Sequence, residues 1–503
     1  MARIITDYLD ETVKKYSEKI AFSDEKRDIS FGDLQDEAHH IAISLLELGF
    51  RKKPIIIYLD KSVECIAAFE GVNYSGNFYS PVDTKMPSDR ILKIIEKLCP
   101  AAIITDHAHA NQARRFAKDV HVLCYEEMQN KVVDYDIIES AKNEIVDSDI
   151  LYVLFTSGST GTPKGAIISH RGMIDLTEWL SETLQFSENN IMANQTPFYF
   201  SYSVCEIYQT LKNGCTTYII PQNLFRVPPK LMRYLDEKNI NTLFWVPSIL
   251  IFISTLKALN RPHLSKLKMI VFGGEVMSTK HLNRWIEEYP EVIFVNSYGS
   301  TEVTDTCAAY VIDRNFKDDE IIPIGRSCKN KDTFLLREDN KLITQPNEIG
   351  EICVRGSGIA CGYYNDSDLT AKAFVQNPIN NSYPELIYRM GDLGKYNEKG
   401  ELVYICRKDY QIKHKGHRIE LGEIESIVSS IETIEEQCCI YDDKKLRIVL
   451  FYVGEIDGKI LLEYLKNELP EYMVPGVRIK LNSMPKNLSG KIDRKKLKEM
   501  LNN

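Results

Sequence analysis

The stretch Leu151-Tyr152-Val153-Leu154-Phe155-Thr156-Ser157-Gly158-Ser159-Thr160-Gly161-Thr162-Pro163-Lys164-Gly165 joins a short apolar run to a loop of small residues. Residues 151–155 have the length and composition of a buried strand. Of the ten residues that follow, eight are Thr, Ser or Gly, and the single lysine is Lys164. Small residues let backbone N–H groups and hydroxyls converge on an anion, and the lysine adds a positive charge. The stretch predicts a phosphate-binding loop at the end of a strand, although composition alone also suits a flexible surface loop.

Strand-like runs alternate with helical patterns along the chain. Residues 38–48 repeat apolar residues at helical spacing. Strand-like runs lie at residues 54–59, 101–105, 151–155, 242–246, 269–272 and 292–295. The alternation predicts an α/β fold with parallel strands, in which a large N-terminal domain of layered α/β subdomains ends in a β-rich subdomain from Gly350 onwards.

The last hundred residues predict a small, mobile α+β domain. Helical patterns at 422–431 and 460–469 flank a strand-like run at 446–453, and a basic tail follows. A single core rarely exceeds about 250–300 residues, so a chain of 503 residues requires at least two domains. The charged stretch 407–410 is the candidate hinge. We therefore predict a large domain over residues 1–408 and a small mobile domain over residues 409–503.

Composition excludes several classes of protein. Lys and Arg total 62 and Asp and Glu total 71, so the net charge is −9, which disfavours nucleic-acid and membrane partners. The apolar runs are too short to span a bilayer. The twelve cysteines are scattered, with no C-x-x-C pair, which indicates reduced thiols in a cytoplasmic protein and no zinc site.

Two other nucleotide-binding patterns fail to match. The small-residue loop is not a Walker A motif, because Pro163 precedes Lys164 and Gly165 follows it. The nearest Rossmann-like string, residues 356–362, has the wrong glycine spacing. A P-loop kinase and a nicotinamide-dependent enzyme are therefore disfavoured.

Five motifs in order resemble the acyl-adenylate-forming, or AMP-binding, superfamily. They are residues 156–165, 296–302, 388–394, 407–425 and 487–491. The string Phe272-Gly273-Gly274-Glu275-Val276 and residues 469–475 make the chain most similar to stand-alone adenylation domains of non-ribosomal peptide synthetases and to D-alanyl carrier protein ligase. The resemblance implies an acid–thiol ligase: a carboxylate attacks the α-phosphorus of ATP, and a thiol then attacks the acyl-AMP.

The resemblance also implies the site residues and the cofactors ATP and Mg²⁺. Tyr298 would stack on adenine, Asp392 would accept both ribose hydroxyls, and Arg407 would make a second ribose contact. Glu302 would hold the metal, and Lys491 would reach from the small domain to the α-phosphate and the attacking carboxylate. The implied ATP-binding residues are Thr156, Ser157, Gly158, Ser159, Thr160, Gly161, Lys164, Gly274, Glu275, Asn296, Ser297, Tyr298, Gly299, Asp392 and Arg407; the catalytic residues are Thr301, Glu302 and Lys491; and the hinge is Asp409.

The acid pocket departs from the pattern of amino-acid adenylating enzymes. Their Phe-Asp-x-Ser string pairs an aspartate with the substrate α-ammonium, but here the string is Phe200-Ser201-Tyr202-Ser203. A buried ammonium without a carboxylate is costly, so either the acid lacks an α-amino group or another carboxylate has taken over. The pocket residues carried over are Phe200, Ser201, Tyr202, Cys205, Ser248, Val271, Gly273, Ser297, Asp305 and Thr306.

Asp305 is the one charged residue of this pocket. It could accept a hydrogen bond from a phenol or pair with a distal amine, or it could cap a helix and face water. An aryl acid is the leading substrate class, ahead of a non-α amino acid and D-alanine. The expected acceptor is the thiol of a separate acyl or peptidyl carrier protein or of free coenzyme A. Enzymes that use either acceptor have the same motifs, so the motifs leave this choice open. A silent ATP-binding module is disfavoured because it would not need Lys491.

Overall fold

A computed structural model describes residues 2–117, 120–158, 162–408, 411–486 and 492–501 of the chain. The chain divides into two compact units. The first unit comprises residues 1–84, 98–154 and 165–406, and the second comprises residues 85–97, 155–164 and 407–503. The domain boundaries predicted from the sequence, 1–408 and 409–503, remain a prediction.

Helices and strands alternate through most of the described chain. The α-helices are α1 Thr6–Tyr16, α2 Phe31–Glu47, α3 Val63–Tyr74, α4 Ser88–Leu98, α5 Ala110–Phe116, α6 Tyr125–Met128, α7 Tyr135–Glu144, α8 His170–Leu184, α9 Ser203–Asn213, α10 Pro228–Glu237, α11 Pro247–Thr255, α12 Thr279–Glu288, α13 Ser367–Ala373, α14 Leu421–Ser429, α15 Gly458–Glu468 and α16 Arg494–Met500. Short 3₁₀ helices lie at Gln222–Arg226, Thr301–Val303 and Glu471–Met473.

The strands are β1 Ile20–Ser23, β2 Asp28–Ser30, β3 Pro54–Tyr58, β4 Phe78–Pro81, β5 Ala102–Thr105, β6 His121–Cys124, β7 Ile150–Thr156, β8 Lys164–Ser169, β9 Ile191–Asn194, β10 Thr216–Ile219, β11 Thr242–Trp245, β12 Met269–Gly273, β13 Ile293–Tyr298, β14 Ala308–Val311, β15 Arg326–Ser327, β16 Lys331–Leu336, β17 Leu342–Ile343, β18 Gly350–Gly356, β19 Phe374–Gln376, β20 Leu386–Tyr396, β21 Leu402–Arg407, β22 Gln411–His414, β23 His417–Glu420, β24 Ile434–Asp442, β25 Arg447–Gly454 and β26 Val477–Lys480.

Two largely parallel sheets form the framework of the first unit. Within the described residues, one has the strand order β15-β14-β13-β12-β11-β9-β10-β1-β2 and the other β6-β5-β3-β4-β7-β8. Their central strands are apolar throughout, as β3 and β12 illustrate, because helices such as α2, α3, α8 and α9 cover parallel sheets on their faces. The carboxyl ends of such strands are where α/β folds bind ligands.

A third, antiparallel sheet completes the first unit. In the part of the chain that the structure describes, its order is β17-β16-β18-β20-β19, and β21 pairs with β20. The α/β architecture with a β-rich subdomain is therefore confirmed. Strands β3, β5, β7, β11, β12 and β13 cover the runs predicted from apolar residues.

The second unit combines a hairpin with a small three-stranded sheet. In its described residues, β22 pairs with β23, and β24-β25-β26 pack against α14 and α15 through Ile424, Leu450, Leu461 and Leu465. Strand β24 was not predicted, because Glu435, Glu436 and Gln437 interrupt its apolar pattern. Among the described residues, no helix combines the length and apolarity needed to cross a bilayer.

Candidate functional site

Tyr298 and Asp392 meet inside the first unit. Tyr298 ends β13, and Asp392 lies in the middle of β20. Both are buried, with 6% and 1% of their surface exposed, and the Tyr298 hydroxyl donates a hydrogen bond to Asp392 Oδ2. The ring of Tyr404 lies 6.3 Å from the Tyr298 ring, centroid to centroid. The structure thus joins the aromatic and the carboxylate predicted to bind adenine and ribose.

Glu302 is fully buried in the 3₁₀ turn that follows β13. Its Oε1 accepts a hydrogen bond of 2.7 Å from the Tyr363 hydroxyl, and its backbone oxygen accepts one of 2.9 Å from Ala360 N–H. The segment 361–364 pairs in turn with β8 through Ala166 and Tyr363. Tyr363 was missed from the sequence, because only the fold brings it to Glu302.

Asp305 lies at the centre of a second cluster. Its Oδ1 accepts a hydrogen bond of 3.0 Å from Ser201 Oγ, and its Oδ2 accepts from Cys205 Sγ at 3.4 Å and Thr306 Oγ1 at 2.9 Å. Burial raises the pKa of the Asp305 carboxyl, and the three donors oppose that rise. Ser201, where amino-acid adenylating enzymes have aspartate, is therefore in direct contact with another carboxylate. The structure does not show the helix cap facing water that was the alternative for Asp305.

The turn that carries Asp305 is held by a buried lysine. Thr304 and Asp305 both have positive φ, at 49° and 64°, which is unfavourable for two consecutive non-glycine residues. Lys331 Nζ donates to the carbonyls of Val303, Thr304 and Thr306 at 2.9, 3.3 and 2.6 Å. No local signal in the sequence identifies Lys331, since it contacts the turn from β16.

Tyr202, Val271 and Ser297 connect the pocket to the end of β13 that carries Tyr298. The Tyr202 hydroxyl donates to Val271 O at 3.2 Å and lies 3.3 Å from Ser297 Oγ. Gly273 pairs with Ser297 across β12 and β13, and a Cβ on Gly273 would lie 2.2 Å from Ser297 Oγ. This close approach accounts for the glycine.

Ser248 and Glu275 lie where β11 and β12 end. Ser248 N–H donates to Glu275 Oε2 at 3.0 Å, whereas the buried Ser248 Oγ has no hydrogen-bond partner within the described residues. Of the remaining predicted residues, Gly274, Asn296, Gly299 and Thr301 flank the same strand ends, and Phe200 precedes α9 with its ring 4.7 Å from that of Tyr199. Asn296 is committed to the fold, because its Nδ2 donates to Pro323 O at 2.8 Å.

Glu206, next to Cys205, is fully buried and interacts electrostatically with Lys61. Its carboxylate accepts a hydrogen bond from Asn194 Nδ2, and Lys61 Nζ donates to the carbonyls of Asn194 and Gln195 at 3.1 and 3.2 Å. Burial raises the pKa of Glu206 and lowers that of Lys61.

The small-residue loop belongs to the second unit. Thr156 Oγ1 donates to Lys164 O at 3.5 Å, and a Cβ on Gly158 would lie 2.1 Å from Thr162 O, so this close approach requires a glycine at position 158. Ser157 Oγ donates to Arg418 O at 2.8 Å and accepts from Glu420 N–H at 3.2 Å, which attaches the loop to β23. Arg407 is half-buried at the end of β21. The predictions for Ser159, Thr160, Gly161, Asp409 and Lys491 lie outside the described residues.

Comparison with known proteins identifies the family. Residues 9–364 match the family described as AMP-binding enzyme. The chain is 30% identical to zwittermicin A synthase ZmaJ of Bacillus cereus, over 99% of this chain and 95% of that protein. It is 28% identical to tyrocidine synthase 1 of Brevibacillus parabrevis over 98% of this chain, and it spans 45% of the length of that relative.

A solved structure shows the same fold. Holo-PA1221, described as a non-ribosomal peptide synthetase protein containing adenylation and PCP domains, matches with a TM-score of 0.85 at 23% identity, covering 98% of this chain and 84% of that one. The resemblance stated from the motifs is confirmed, and enzymes of this family use ATP. The chain therefore belongs to the AMP-binding enzyme family of acyl-adenylate-forming ligases.

Proposed function

We propose that this enzyme activates a carboxylic acid without a standard α-amino group, releasing pyrophosphate, and transfers the acyl group to the phosphopantetheine thiol of a separate carrier protein. The buried contact between Tyr298 and Asp392 is the observation that carries the proposal furthest. An aromatic ring offers adenine a stacking face, and a carboxylate can accept hydrogen bonds from two ribose hydroxyls. Arg407 adds a second ribose contact.

The phosphates require positive charge and hydrogen-bond donors. In the first half-reaction an oxygen of the acid forms a bond to the α-phosphorus as the bond to pyrophosphate breaks, so the protein mainly positions groups and offsets negative charge. We assign phosphate binding to Lys164 and to the hydroxyls and amides of residues 156–161. Lys491 would bind both the α-phosphate and the incoming carboxylate.

Glu302 has the chemistry that Mg²⁺ requires. Carboxylate oxygens are the protein ligands that Mg²⁺ prefers, and Glu302 supplies a buried carboxylate that the Tyr363 hydroxyl orients. A bound Mg²⁺ neutralises phosphate charge. Glu302 would hold the ion, and Thr301 would support it from the same turn.

The pocket favours an acid with a hydrogen-bond donor away from its carboxylate. Ser201 replaces the aspartate that binds an α-ammonium, and Asp305 contacts Ser201 at 3.0 Å. A carboxyl whose pKa burial raises suits a neutral donor such as a phenol or an aryl amine. Ser248 Oγ, buried without a partner among the described residues, offers a further hydrogen bond. We therefore assign an aryl acid bearing a hydroxyl or amino group.

We propose a carrier protein as the acceptor because of similarity to family members, and not because of a particular contact in the structure. Holo-PA1221 contains both an adenylation and a PCP domain, and free coenzyme A is the competing acceptor.

All twelve cysteines carry free thiols, which is consistent with the cytoplasm as the proposed compartment.

Pyrophosphate exchange across a panel of acids tests the substrate class. Benzoate, hydroxybenzoates, aminobenzoates, β-alanine and both enantiomers of alanine should be compared in the wild type and in Ser201→Asp. We expect hydroxy- or aminobenzoates to support exchange in the wild type. Ser201→Asp should weaken this activity and gain exchange with α-amino acids, because it restores the ammonium partner beside Asp305. Wild-type exchange with alanine and not with any benzoate would contradict the assignment.

A second variant separates the two half-reactions. Lys491→Ala should abolish acyl-AMP formation, yet spare transfer of the acyl group from supplied acyl-AMP to holo-carrier protein or coenzyme A. Comparison of the two acceptors identifies the thiol. Equal loss of both half-reactions would refute the role of Lys491.

A further inference from the structure

Three potential metal ligands converge where β5 and β6 end in the first unit. His107 follows β5, Cys124 ends β6, and Glu127 lies one turn further along in α6. One donor atom from each, an imidazole nitrogen, the thiol sulfur and a carboxylate oxygen, lies within 4.8 Å of the others. The parallel pairing of Thr105 with Cys124 sets this arrangement, because it aligns the carboxyl ends of the two strands.

The neighbouring polar side chains of His109, Asp106 and Glu126 make hydrogen bonds. His109 Nδ1 lies 2.7 Å from Asp106 Oδ1, and both carboxylate oxygens of Glu126 accept from His107 N–H at 3.3 Å. Across the described ranges of the chain, no hydrogen bond or ion pair joins the His107 ring, the Cys124 sulfur or the Glu127 carboxylate to another side chain. The contact with Glu126 restrains the backbone of His107.

The donor set selects the metal. Thiolate, imidazole and carboxylate are all ligands of Zn²⁺, which binds them at about 2.0–2.3 Å in tetrahedral geometry, so that donor atoms lie roughly 3.3–3.8 Å apart. The side chains must therefore close by about 1 Å, which rotation of the exposed His107 and Glu127 side chains allows while the buried Cys124 stays in place. A thiolate disfavours Mg²⁺ and Ca²⁺, which prefer oxygen ligands.

We propose that His107, Cys124 and Glu127 bind one Zn²⁺ ion, with water as the fourth ligand. The thiol proton leaves to solvent as the metal–sulfur bond forms. The bound ion would hold the end of β5 to the end of β6. The sequence pattern gave no sign of it, because the ligands come from two strands and lack the C-x-x-C spacing by which zinc sites are recognised.

Metal titration of the full-length chain tests the site. The protein is stripped with a chelator and titrated with Zn²⁺ by calorimetry and with Co²⁺ by absorbance, and Tm is measured with and without Zn²⁺. We expect one equivalent of Zn²⁺, a thiolate-to-cobalt charge-transfer band, and a rise in Tm. His107→Ala and Glu127→Gln should each weaken binding at least tenfold, and Cys124→Ala should abolish the charge-transfer band.

Matched controls are a histidine and a glutamate outside the cluster. His121→Ala, at the opposite end of β6, and Glu144→Gln, at the end of α7, should leave the zinc stoichiometry unchanged. Since His107 and Glu127 are exposed, their variants remain informative even if Cys124→Ala folds poorly. Several weak equivalents, no cobalt–thiolate band, or equal binding by His107→Ala, Glu127→Gln and the controls would overturn the proposal.

Discussion

The phenol of Tyr298 has a role that its ring alone cannot perform. Its hydroxyl donates to the buried carboxylate of Asp392, the group proposed to bind ribose. Tyr298→Phe keeps the stacking face but leaves this carboxylate short of one donor. We expect KM for ATP to rise roughly fivefold, corresponding to about 1 kcal/mol for one hydrogen bond, with little change in kcat. Pyrophosphate exchange at varied ATP concentrations measures this.

Tyr404→Phe is the matched control for Tyr298→Phe. Its ring lies 6.3 Å from that of Tyr298, and the substitution removes only a hydroxyl from the same aromatic pair. KM for ATP should be close to that of the wild type. A Tyr298→Phe enzyme with unchanged KM would show that the contact with Asp392 does not shape the nucleotide site.

Two substitutions at and beside Glu302 distinguish the role of its negative charge from the role of its hydrogen bond to Tyr363. Glu302→Gln keeps the acceptor for the Tyr363 hydroxyl but removes the negative charge proposed to hold Mg²⁺. We expect kcat for pyrophosphate exchange to fall about 100-fold, and the Mg²⁺ concentration for half-maximal rate to rise. Tyr363→Phe, which keeps the charge and removes the hydrogen bond, should lose much less. If the Glu302→Gln enzyme depended on Mg²⁺ concentration in the same way as the wild type, Glu302 would be excluded as the Mg²⁺ ligand.

A helix or strand could be predicted from the sequence where the pattern of its own residues is enough to identify it. Strands such as β3 and β7 were predicted because an uninterrupted apolar run identifies a strand buried on both faces. Strand β24 was missed because Glu435, Glu436 and Gln437, which are exposed or half-buried, break its apolar run. That α4 clusters with the second unit is not evident from its own residues, since this grouping depends on contacts with residues far along the chain.

Residues of the candidate site also fall into those that the sequence identifies and those that only the fold brings to the site. Motif residues such as Tyr298 and Asp392 could be predicted because local strings of residues carry the resemblance. Lys331 and Tyr363 could not, because each reaches the site from a distant segment and lies in no motif. The contact between Ser201 and Asp305, 104 residues apart, decides the substrate proposal and is visible only in the fold.

Lys331 stabilises the turn that presents Asp305. Lys331→Met keeps the length of the side chain but removes donors to three carbonyls that hold two residues with positive φ. We expect a loss of roughly 2–4 kcal/mol in the free energy of unfolding, because buried carbonyls lose a charged donor. KM for the acid should rise more than KM for ATP, since Asp305 is displaced. Urea unfolding and exchange kinetics measure the two effects.

Lys329→Met provides the comparison for Lys331→Met. Lys329 lies two residues away, and its exposed side chain pairs with Glu182 at the surface, an interaction worth about 0–1 kcal/mol. The free energy of unfolding of Lys329→Met, and its KM values for the acid and for ATP, should match those of the wild type. If the two variants behave alike, Lys331 has no special part in holding the turn.

The core of the first unit also contains a carboxyl group whose ionisation depends on folding. Glu70 is fully buried in α3, and Asn73 Nδ2 donates to its Oε1 at 3.3 Å. Burial raises the pKa of Glu70 from its ordinary value of 4.5 to about 8. Between these two pH values the folded chain keeps a proton that the unfolded chain releases. This group therefore stabilises the fold fully below pH 4.5, and its contribution is lost as pH rises through 8.

Glu70→Gln should remove this dependence from the unfolding of the first unit. Glutamine stays neutral at every pH, and its amide can donate to Asn73 Oδ1, which has no partner within the described residues. The variant should gain stability relative to the wild type as pH rises from 5 to 9, by up to about 4 kcal/mol, since each pKa unit corresponds to about 1.4 kcal/mol. Urea unfolding at several pH values measures the difference. Glu11→Gln, which removes an exposed carboxylate paired with Lys14, should give a difference from wild type that is constant over this range. A constant difference for Glu70→Gln as well would mean that Glu70 ionises equally in both states.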